Sequence, residues 1–306
     1  MAIKYTDVSA ARLSEVLSAD MQLALADRFS LWGSPAIHYA GDAGARGSTT
    51  IKVPIPSLNG VNRMAAIAEN ASTAATALTL TSATVTIARQ ALQRDATDLL
   101  NLTDSVGINT QAFITDMVGA AAMRFQEMLV NITDGFTATV GTTTVDMSVD
   151  DWFSADFTLT QASAPGAAAR IACLYPVQVT DLRNSIRAEA GAFQYRTDVM
   201  GWLEAAGQGP QGSFLGVPIL SSSLVPTANA GADSAGAMWA YGAVTYADGT
   251  PSAVRGAGDV VFPAGSKLYV ELERDAGGAL TKIVGNYFVG VSILQQGLGV
   301  SIITDR

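Results

Sequence analysis

Residues 110–132 predict one long helix, and no other segment constrains the architecture of the chain as strongly. Asn109 or Thr110 can cap its start, and Asp134-Gly135 ends it. At 1.5 Å per residue this helix is roughly 35 Å long, about the width of a small domain. Its apolar residues recur at spacings of three and four and so share one face; they are Phe113, Ile114, Met117, Val118, Ala121, Phe125, Met128, Leu129 and Ile132. We therefore expect a central helix against which other elements pack.

Two predicted strands joined by a long polar stretch precede this helix. Residues 49–55 alternate apolar and polar side chains, and residues 76–89 are rich in β-branched residues, so both are typical of strands. The roughly twenty residues between them contain little to bury, and loops of that length are usually functional or disordered. The pattern predicts a pair of long strands that projects from its own subunit. An ordinary β-hairpin with an unstructured insert is the alternative interpretation.

The remainder of the chain mixes helices and strands. An amphipathic segment, residues 9–29, ends at a Gly-Ser-Pro sequence that breaks a helix, and a short helix is predicted around residues 97–100. A capping box formed by Ser148 and Asp151 starts another helix, and Pro176 suits the first position of a further one. Strands are predicted at residues 136–145, 170–175, 214–220, 238–246, 268–272, 280–284, 287–294 and 299–303. We expect the last four to pack on the open face of the central helix.

Composition excludes several classes of protein. The 306 residues carry a formal net charge of −9 with few lysines, so the chain is not one that grips nucleic acid by neutralising phosphates. The sequence contains no apolar run of the roughly 18 residues that a membrane span needs, and it starts without a secretory signal pattern. A single cysteine, Cys173, excludes an internal disulfide and suits an intracellular location. The hydrophobic content of 49% is high for a soluble protein and is consistent with surface that packs against other subunits.

The motifs that carry chemistry in other proteins have structural interpretations here. His38 is the only histidine and lies at the foot of the predicted strand pair, so any Ser-His or Cys-His mechanism must use it. Residues 207–212 match the spacing of a dinucleotide fingerprint, but they contain a proline and lead into a predicted strand instead of a helix. Asp150-Asp151 starts a helix, and Glu271 and Glu273 lie on the polar face of a strand. We therefore predict no catalytic residue, no metal site and no cofactor.

The order of these parts resembles the major capsid protein of tailed bacteriophages. That family has the Hong Kong 97 type fold, which is also seen in encapsulin shells and in the herpesvirus capsid floor. The matching segments are residues 47–89 with the extended loop, 96–100 (ATDLL) with the segment before the long helix, 110–135 with that helix and its final glycine, 174–183 (LYPVQVTDLR) with a strand, proline and helix, and 215–226 (LGVPILSSSLVP) with a Gly-x-Pro strand. The resemblance covers nearly the whole chain from about residue 35 onward.

The resemblance implies an α+β phage major capsid fold with four parts. These are an N-terminal arm (1–37), an extended β loop (38–89), a peripheral domain that contains the long helix (90–145 and 255–306), and a mixed α/β axial domain (146–254). It also implies a structural protein, not an enzyme. Such a protein assembles with itself as pentamers and hexamers into an icosahedral shell, and it encloses double-stranded DNA without sequence-specific binding.

Partners and contacts follow from the same resemblance. It implies a portal and a separate scaffolding protein, because the chain has no room for a fused scaffolding segment. It also implies a place in the virion capsid, assembly in the host cytoplasm and no membrane partner. The expected contacts with the adjacent subunit are polar residues at the loop tip: Asn59, Asn62, Arg63 and Glu69. That tip has no lysine, so covalent cross-linking of the shell is not expected.

Two alternatives stay open at this stage. One is an encapsulin-like compartment of the same fold that holds a cargo enzyme in place of a genome. The other, which the scattered titratable residues disfavour, is an enzyme or small-ligand-binding domain with a mixed α/β core.

Overall fold

The computed structural model describes residues 36–43, 47–56, 80–98, 108–188, 213–249, 259–261 and 267–306. Three α-helices lie wholly within these ranges: α1 (Ile108–Asn131), α2 (Val149–Gln161) and α3 (Pro176–Ala188). None of the helices in these ranges is both long enough and apolar enough to span a membrane. The strands are β1 (Ile37–Asp42), β2 (Thr50–Pro56), β3 (Leu80–Thr86), β4 (Ala88–Thr97), β5 (Ala138–Val140), β6 (Arg170–Leu174), β7 (Ser213–Phe214), β8 (Val217–Ser221), β9 (Thr227–Ala228), β10 (Asp233–Ala240), β11 (Val244–Asp248), β12 (Asp259–Val261), β13 (Lys267–Asp275), β14 (Leu280–Ile293) and β15 (Gly299–Asp305).

The long helix predicted over residues 110–132 is confirmed as α1, which has 24 residues. A 3-10 turn, Ile132–Gly135, follows α1, and the hydroxyl of Thr133 donates a hydrogen bond to the carbonyl of Val130 at 2.6 Å. The buried side chains of α1 repeat at helical spacing; among the described ones they are Met117, Val118, Ala122, Phe125, Leu129 and Val130. α1 therefore buries one continuous face.

The first sheet forms around β14, the longest strand, with 14 residues. The strand order is β1-β11-β14-β13-β12, and β4 also pairs with β14. The early part of β14 pairs with β13 and β4 at the same time, and its last residues pair with β11. The two strands predicted at residues 280–284 and 287–294 are thus one continuous strand.

The strand prediction for residues 76–89 is corrected by the structure. The strand divides at Ile87 into β3 and β4, and residues 76–79 lie outside the described residues. β4 continues to Thr97, which pairs with Leu280, because ten positions of β14 offer it backbone partners. Asp98 is helical, so the short helix predicted around residues 97–100 begins one residue later than expected. Residues 99 and 100 lie outside the described residues.

The second sheet lies between two hydrophobic cores. Its order is β5-β15-β10-β6-β8-β7, with β9 paired to β10. One face packs on α2 and α3, in a core that includes Trp152, Leu182 and Met238. The other face contributes Ile171 and Trp239 to a core shared with α1 and the first sheet. All eight residues of β10 are buried, as expected for a strand covered on both faces.

Three strands cross the predicted boundary between the peripheral and axial domains. β5 and β15, from the segments predicted as peripheral, lie in the second sheet, whereas β11, from the segment predicted as axial, lies in the first. The predicted strand 238–246 is two strands, because the chain turns after β10 at Gly242, whose φ is 90°. The division into a peripheral domain (90–145 and 255–306) and an axial domain (146–254) stays a proposal, with these strands connecting its two parts.

Two local signals near α2 and α3 are confirmed. Ser148 and Asp151 form the predicted capping box: Ser148 Oγ accepts from the Asp151 N–H at 3.2 Å, and Asp151 Oδ2 accepts from the Ser148 N–H at 2.9 Å. α3 begins at Pro176, as predicted. The fully buried Gln178 then ties α3 to β10 and β15, because its amide group donates to Ser234 O, Ile302 O and Thr304 Oγ1 at 2.9–3.1 Å.

Candidate assembly surfaces

The residues weighed as catalytic candidates have structural partners. His38 Nδ1 lies 3.2 Å from Thr245 Oγ1, and the ring contacts Tyr241 edge to face. Cys173 is completely buried, and burial raises the pKa of its thiol to about 12. Glu271 accepts a hydrogen bond from Asn286 Nδ2 at 3.2 Å. Within the described part of the chain, histidine, cysteine and carboxylate side chains form no group of three suited to a metal ion. Residues 207–212 lie outside the described residues.

The extended loop contains a hairpin that forms its own small sheet. β2 and β3 pair antiparallel from Thr50 opposite Thr86 to Pro56 opposite Leu80, and no third strand joins this sheet among the described residues. Ile51 and Val85 are buried at one end, while most other described side chains of the hairpin are exposed or half-buried. The hairpin is therefore anchored at its base and has few contacts beyond it. The four predicted tip contacts, Asn59, Asn62, Arg63 and Glu69, lie outside the described residues, so their role stays a prediction.

The hairpin base packs closely on the first sheet. Ile51 and Val85 form a small core with Ala43 and Ala247, and the Ile87 N–H donates to the Thr49 carbonyl at 2.9 Å. Just before Ile87, the backbone passes directly over Gly290 of β14. A Cβ at Gly290 would overlap the carbonyl oxygen of Thr86 and lie 2.7 Å from its carbonyl carbon. The hairpin base can lie this close to β14 only because residue 290 is a glycine and has no Cβ.

A buried carboxylate lies beside the hairpin base. The Tyr39 hydroxyl donates to Asp248 Oδ1 at 2.6 Å, which links β1 to β11. Desolvation by burial raises the pKa of Asp248 above its ordinary range, and the neighbouring charge of Asp42 raises it further. Burial and the bond to Asp248 also raise the pKa of Tyr39, so its hydroxyl remains a donor at neutral pH. These groups join β1 to the sheet.

α1 and β4 form the walls of an open groove of about 300 Å³. Its floor is apolar and includes Met117, Leu268 and Tyr287. Two polar contacts cross from helix to strand: Arg94 Nη2 lies 2.7 Å from Asp116 Oδ2, and Arg124 Nε donates to Gln90 Oε1 at 3.2 Å. Both contacts are exposed, so each contributes modestly to stability. We interpret the groove as a consequence of how the helix crosses the sheet.

Comparison with solved structures identifies the architecture. No protein-family model matches the chain, and no curated protein matches it either. The acid-stable capsid of Helicobacter pylori bacteriophage KHP30 superposes with a TM-score of 0.63 at 11% identity, over 90% of this chain and 89% of that one. A structure from Mycobacterium phage Che8 gives 0.58 at 16% identity, over 90% and 91%. The chain has the Hong Kong 97 type capsid fold.

A second kind of shell shares this fold. The SrpI encapsulin complex from Synechococcus elongatus PCC 7942 gives a TM-score of 0.59 at 14% identity, over 91% of this chain and 89% of that one. The predicted α+β capsid fold is thus confirmed. A capsid of a native GTA particle is also similar, with a TM-score of 0.57 at 13% identity over 90% of each chain.

Sequence reasoning missed three features of these surfaces. Gly290 lies in a predicted strand, and a glycine inside a strand signals a close backbone approach, so that signal was present. The Tyr39–Asp248 contact joins residues far apart in sequence and had no local signal. The outward direction of Phe153 in α2 is visible only once the buried face of that helix is known. Phe153 is four residues before Phe157, and both are exposed.

Proposed function

We propose that this chain is the major capsid protein of a tailed phage, which assembles as pentamers and hexamers into an icosahedral shell around double-stranded DNA. The observation that supports this proposal is the Hong Kong 97 type fold, which extends over about 90% of this chain and of the capsid structures it resembles. In this proposal the shell lies in the virion and is assembled in the host cytoplasm.

The architecture is suited to a shell subunit. α1 and the two sheets share one core, so they form a stiff body from which the β2–β3 hairpin extends. Shells of this kind are held by many modest contacts, because symmetric repetition multiplies weak interfaces. The net charge of −9 keeps the protein from gripping DNA tightly, which is compatible with enclosing it without sequence-specific binding.

The hairpin is the proposed arm between subunits. Its tip residues Asn59, Asn62, Arg63 and Glu69 would contact the adjacent subunit. A portal and a separate scaffolding protein would be the other partners during assembly. No membrane takes part in this proposal.

An encapsulin-like compartment is the second candidate, because the TM-score of the encapsulin lies within the range given by the phage structures. The two candidates differ in what the assembled particle encloses. Particles purified from the native source would contain nuclease-protected double-stranded DNA if the chain is a phage capsid protein. A compartment would contain a co-purifying enzyme and no packaged genome.

Deletion of residues 57–74 tests the arm. The deletion leaves β2 and β3 in place, so we expect a subunit with the circular dichroism spectrum and urea midpoint of the full chain. We expect this variant to form no closed shells by negative-stain electron microscopy under conditions where the full chain does. Replacing residues 57–74 with a Gly-Ser segment of equal length is the matched control for chain connectivity, and it should fail in the same way. Normal shells from either variant would contradict the role of the arm.

A further inference from the structure

α3, β15 and the turn before α2 meet at one end of the second sheet. The last residues of β15 bond to this turn, because the Asp305 N–H donates to the Val145 carbonyl at 2.9 Å. In α3, the buried Gln178 side chain donates to Thr304 Oγ1 at 2.9 Å. Asp181 follows Gln178 by about one helical turn, so it lies beside the same end of β15. Three segments that are distant in sequence thus form one junction around Asp181.

The carboxylate of Asp181 is incompletely hydrogen-bonded. Its Oδ2 atom is buried and has no hydrogen-bond partner. An ionised oxygen in this position has lost its hydration without gaining a donor, which costs free energy. The neutral acid form of Asp181 avoids most of this cost, because burial penalises the charged form. The surroundings of this oxygen therefore favour the protonated carboxyl group.

The neighbouring carboxylates favour the protonated form as well. Desolvation by burial is the largest cause that raises the pKa of Asp181, and the charges of Asp146 and Asp305 raise this pKa further. Asp146 is exposed in the turn, and Asp305 is half-buried at the end of β15. The remaining carboxylates on α2 and β10 are exposed, hydrogen-bonded or ion-paired; they are Asp150, Asp151, Asp156 and Asp233.

The arginines near the junction are directed away from Asp181. The Arg306 guanidinium lies 4.9 Å from the centre of the Tyr175 ring, and its Nη2 donates to the Tyr175 hydroxyl at 3.3 Å. Arg183 and Arg187 belong to α3 itself, at about 200° and 240° around the helix from Asp181. Within the described ranges, no lysine or arginine forms an ion pair with Asp181. The charge of an ionised Asp181 therefore adds to those of Asp146 and Asp305 without a cation between them.

We propose that Asp181 is a pH-sensitive switch, whose protonation tightens the junction of α3, β15 and residues 141–146 and whose ionisation loosens it. A carboxyl group with a raised pKa stabilises the fold below its ordinary value of 3.8, and this contribution is lost as the pH rises through the folded-state pKa. The junction therefore strengthens in acid, where carboxylates with a lowered pKa, such as that of Asp98, lose their contacts. This inference concerns the single subunit and does not rest on the proposed shell function.

Hydrogen exchange of the unassembled full chain tests the switch at pH 7 and at about pH 3.5. Asp181→Asn carries no charge at either pH, so at pH 7 we expect residues 141–146 and 299–306 to exchange at least about twofold more slowly than in the unaltered chain. At the lower pH the two chains should be equally protected, because the carboxyl group of the unaltered chain is then protonated. Asp134→Asn is the matched control, since it removes a charge from an exposed residue after α1 and should match the unaltered chain at both pH values.

Asp146→Asn tests the repulsion without changing a buried group. At pH 7 we expect it to lower the equilibrium constant for urea unfolding at least about twofold, and Asp181→Asn should do the same. The double variant should gain less than the product of the two effects, because the repulsion between the two charges can be removed only once.

Equal exchange of Asp181→Asn and the unaltered chain at pH 7 would overturn the inference. A less stable or unfolded Asp181→Asn would overturn it too, since an uncharged amide should suit this position, and so would independent effects of the two substitutions. A subunit that shows the expected exchange and forms no shell in any condition would instead refute the proposed function and leave this inference intact.

Discussion

Gly290→Ala tests whether the close approach at the hairpin base positions the arm. The added Cβ would lie 2.7 Å from the carbonyl carbon of Thr86 and 3.2 Å from the Cα of Ile87. Ordinary carbon–carbon contacts are about 3.5–4.0 Å, so the hairpin base must move away by about 1 Å. The atoms it meets belong to the backbone and cannot rotate aside. We expect overpacking to cost about 1–3 kcal/mol in the free energy of unfolding.

The assay measures folding and assembly separately. Urea unfolding of the unassembled subunit gives the stability, and negative-stain microscopy with sedimentation velocity gives the yield of closed shells. Gly297→Ala is the matched control, because a Cβ there meets no atom within 4 Å. We expect Gly297→Ala to behave as the unaltered chain in both measurements. Gly290→Ala should fold and should assemble poorly, because every displaced base moves its hairpin relative to the neighbouring subunit.

A Gly290→Ala variant that matched Gly297→Ala in stability and in shell yield would refute this reasoning. It would show that the hairpin base shifts without consequence and that its position does not set the contact between subunits.

Three further changes probe the body of the subunit. Gln178→Ala removes the buried amide that bonds to β10 and β15 and leaves the Tyr175 N–H without its side-chain acceptor, so urea unfolding should show a loss of about 2–4 kcal/mol. Ser148→Ala removes the cap of α2 and should cost about 1 kcal/mol in the same assay. The raised pKa of Asp248 stabilises the fold below its ordinary value of 3.8, and this contribution is lost as the pH rises through the folded-state pKa. Asp248→Asn retains an acceptor for Tyr39 without a charge, so it should match the unaltered chain near pH 3.5 and be the more stable of the two at pH 7.

Each change has a control or a contradicting result. Gln161→Ala, at an exposed position of α2, should change stability by less than about 0.5 kcal/mol. An equally small effect of Gln178→Ala would contradict the role given to its hydrogen bonds. Ser154→Ala is the control for the cap, since Ser154 is exposed within α2. If Asp248→Asn were less stable than the unaltered chain at pH 7, the desolvation argument would be wrong.

Local patterns predicted the elements whose causes are local. α1 follows from apolar spacing, α2 from the Ser148–Asp151 capping box, and the start of α3 from Pro176. The order of these elements then indicated the capsid fold. Each signal lies within a few residues of the structure that it specifies, so it can be read without knowledge of the rest of the chain.

Long-range pairing accounts for what the sequence did not predict. β4 forms because β14, nearly two hundred residues later, offers it a partner. The division of residues 238–246 into β10 and β11 depends on two different sheets. Phe153 and Phe157 have an apolar spacing that is equally typical of a core-facing pair, and only the burial of Trp152 shows that they point outward. These features depend on contacts between distant parts of the chain, so they can be seen only in the tertiary structure.

The central claim is that this chain builds a closed shell. The most direct test is electron microscopy of the purified full chain, alone and co-expressed with the products of neighbouring reading frames, together with sedimentation velocity. The account predicts closed shells, or pentamers and hexamers that form shells once a scaffolding protein is supplied. A monomer under every one of these conditions would contradict it.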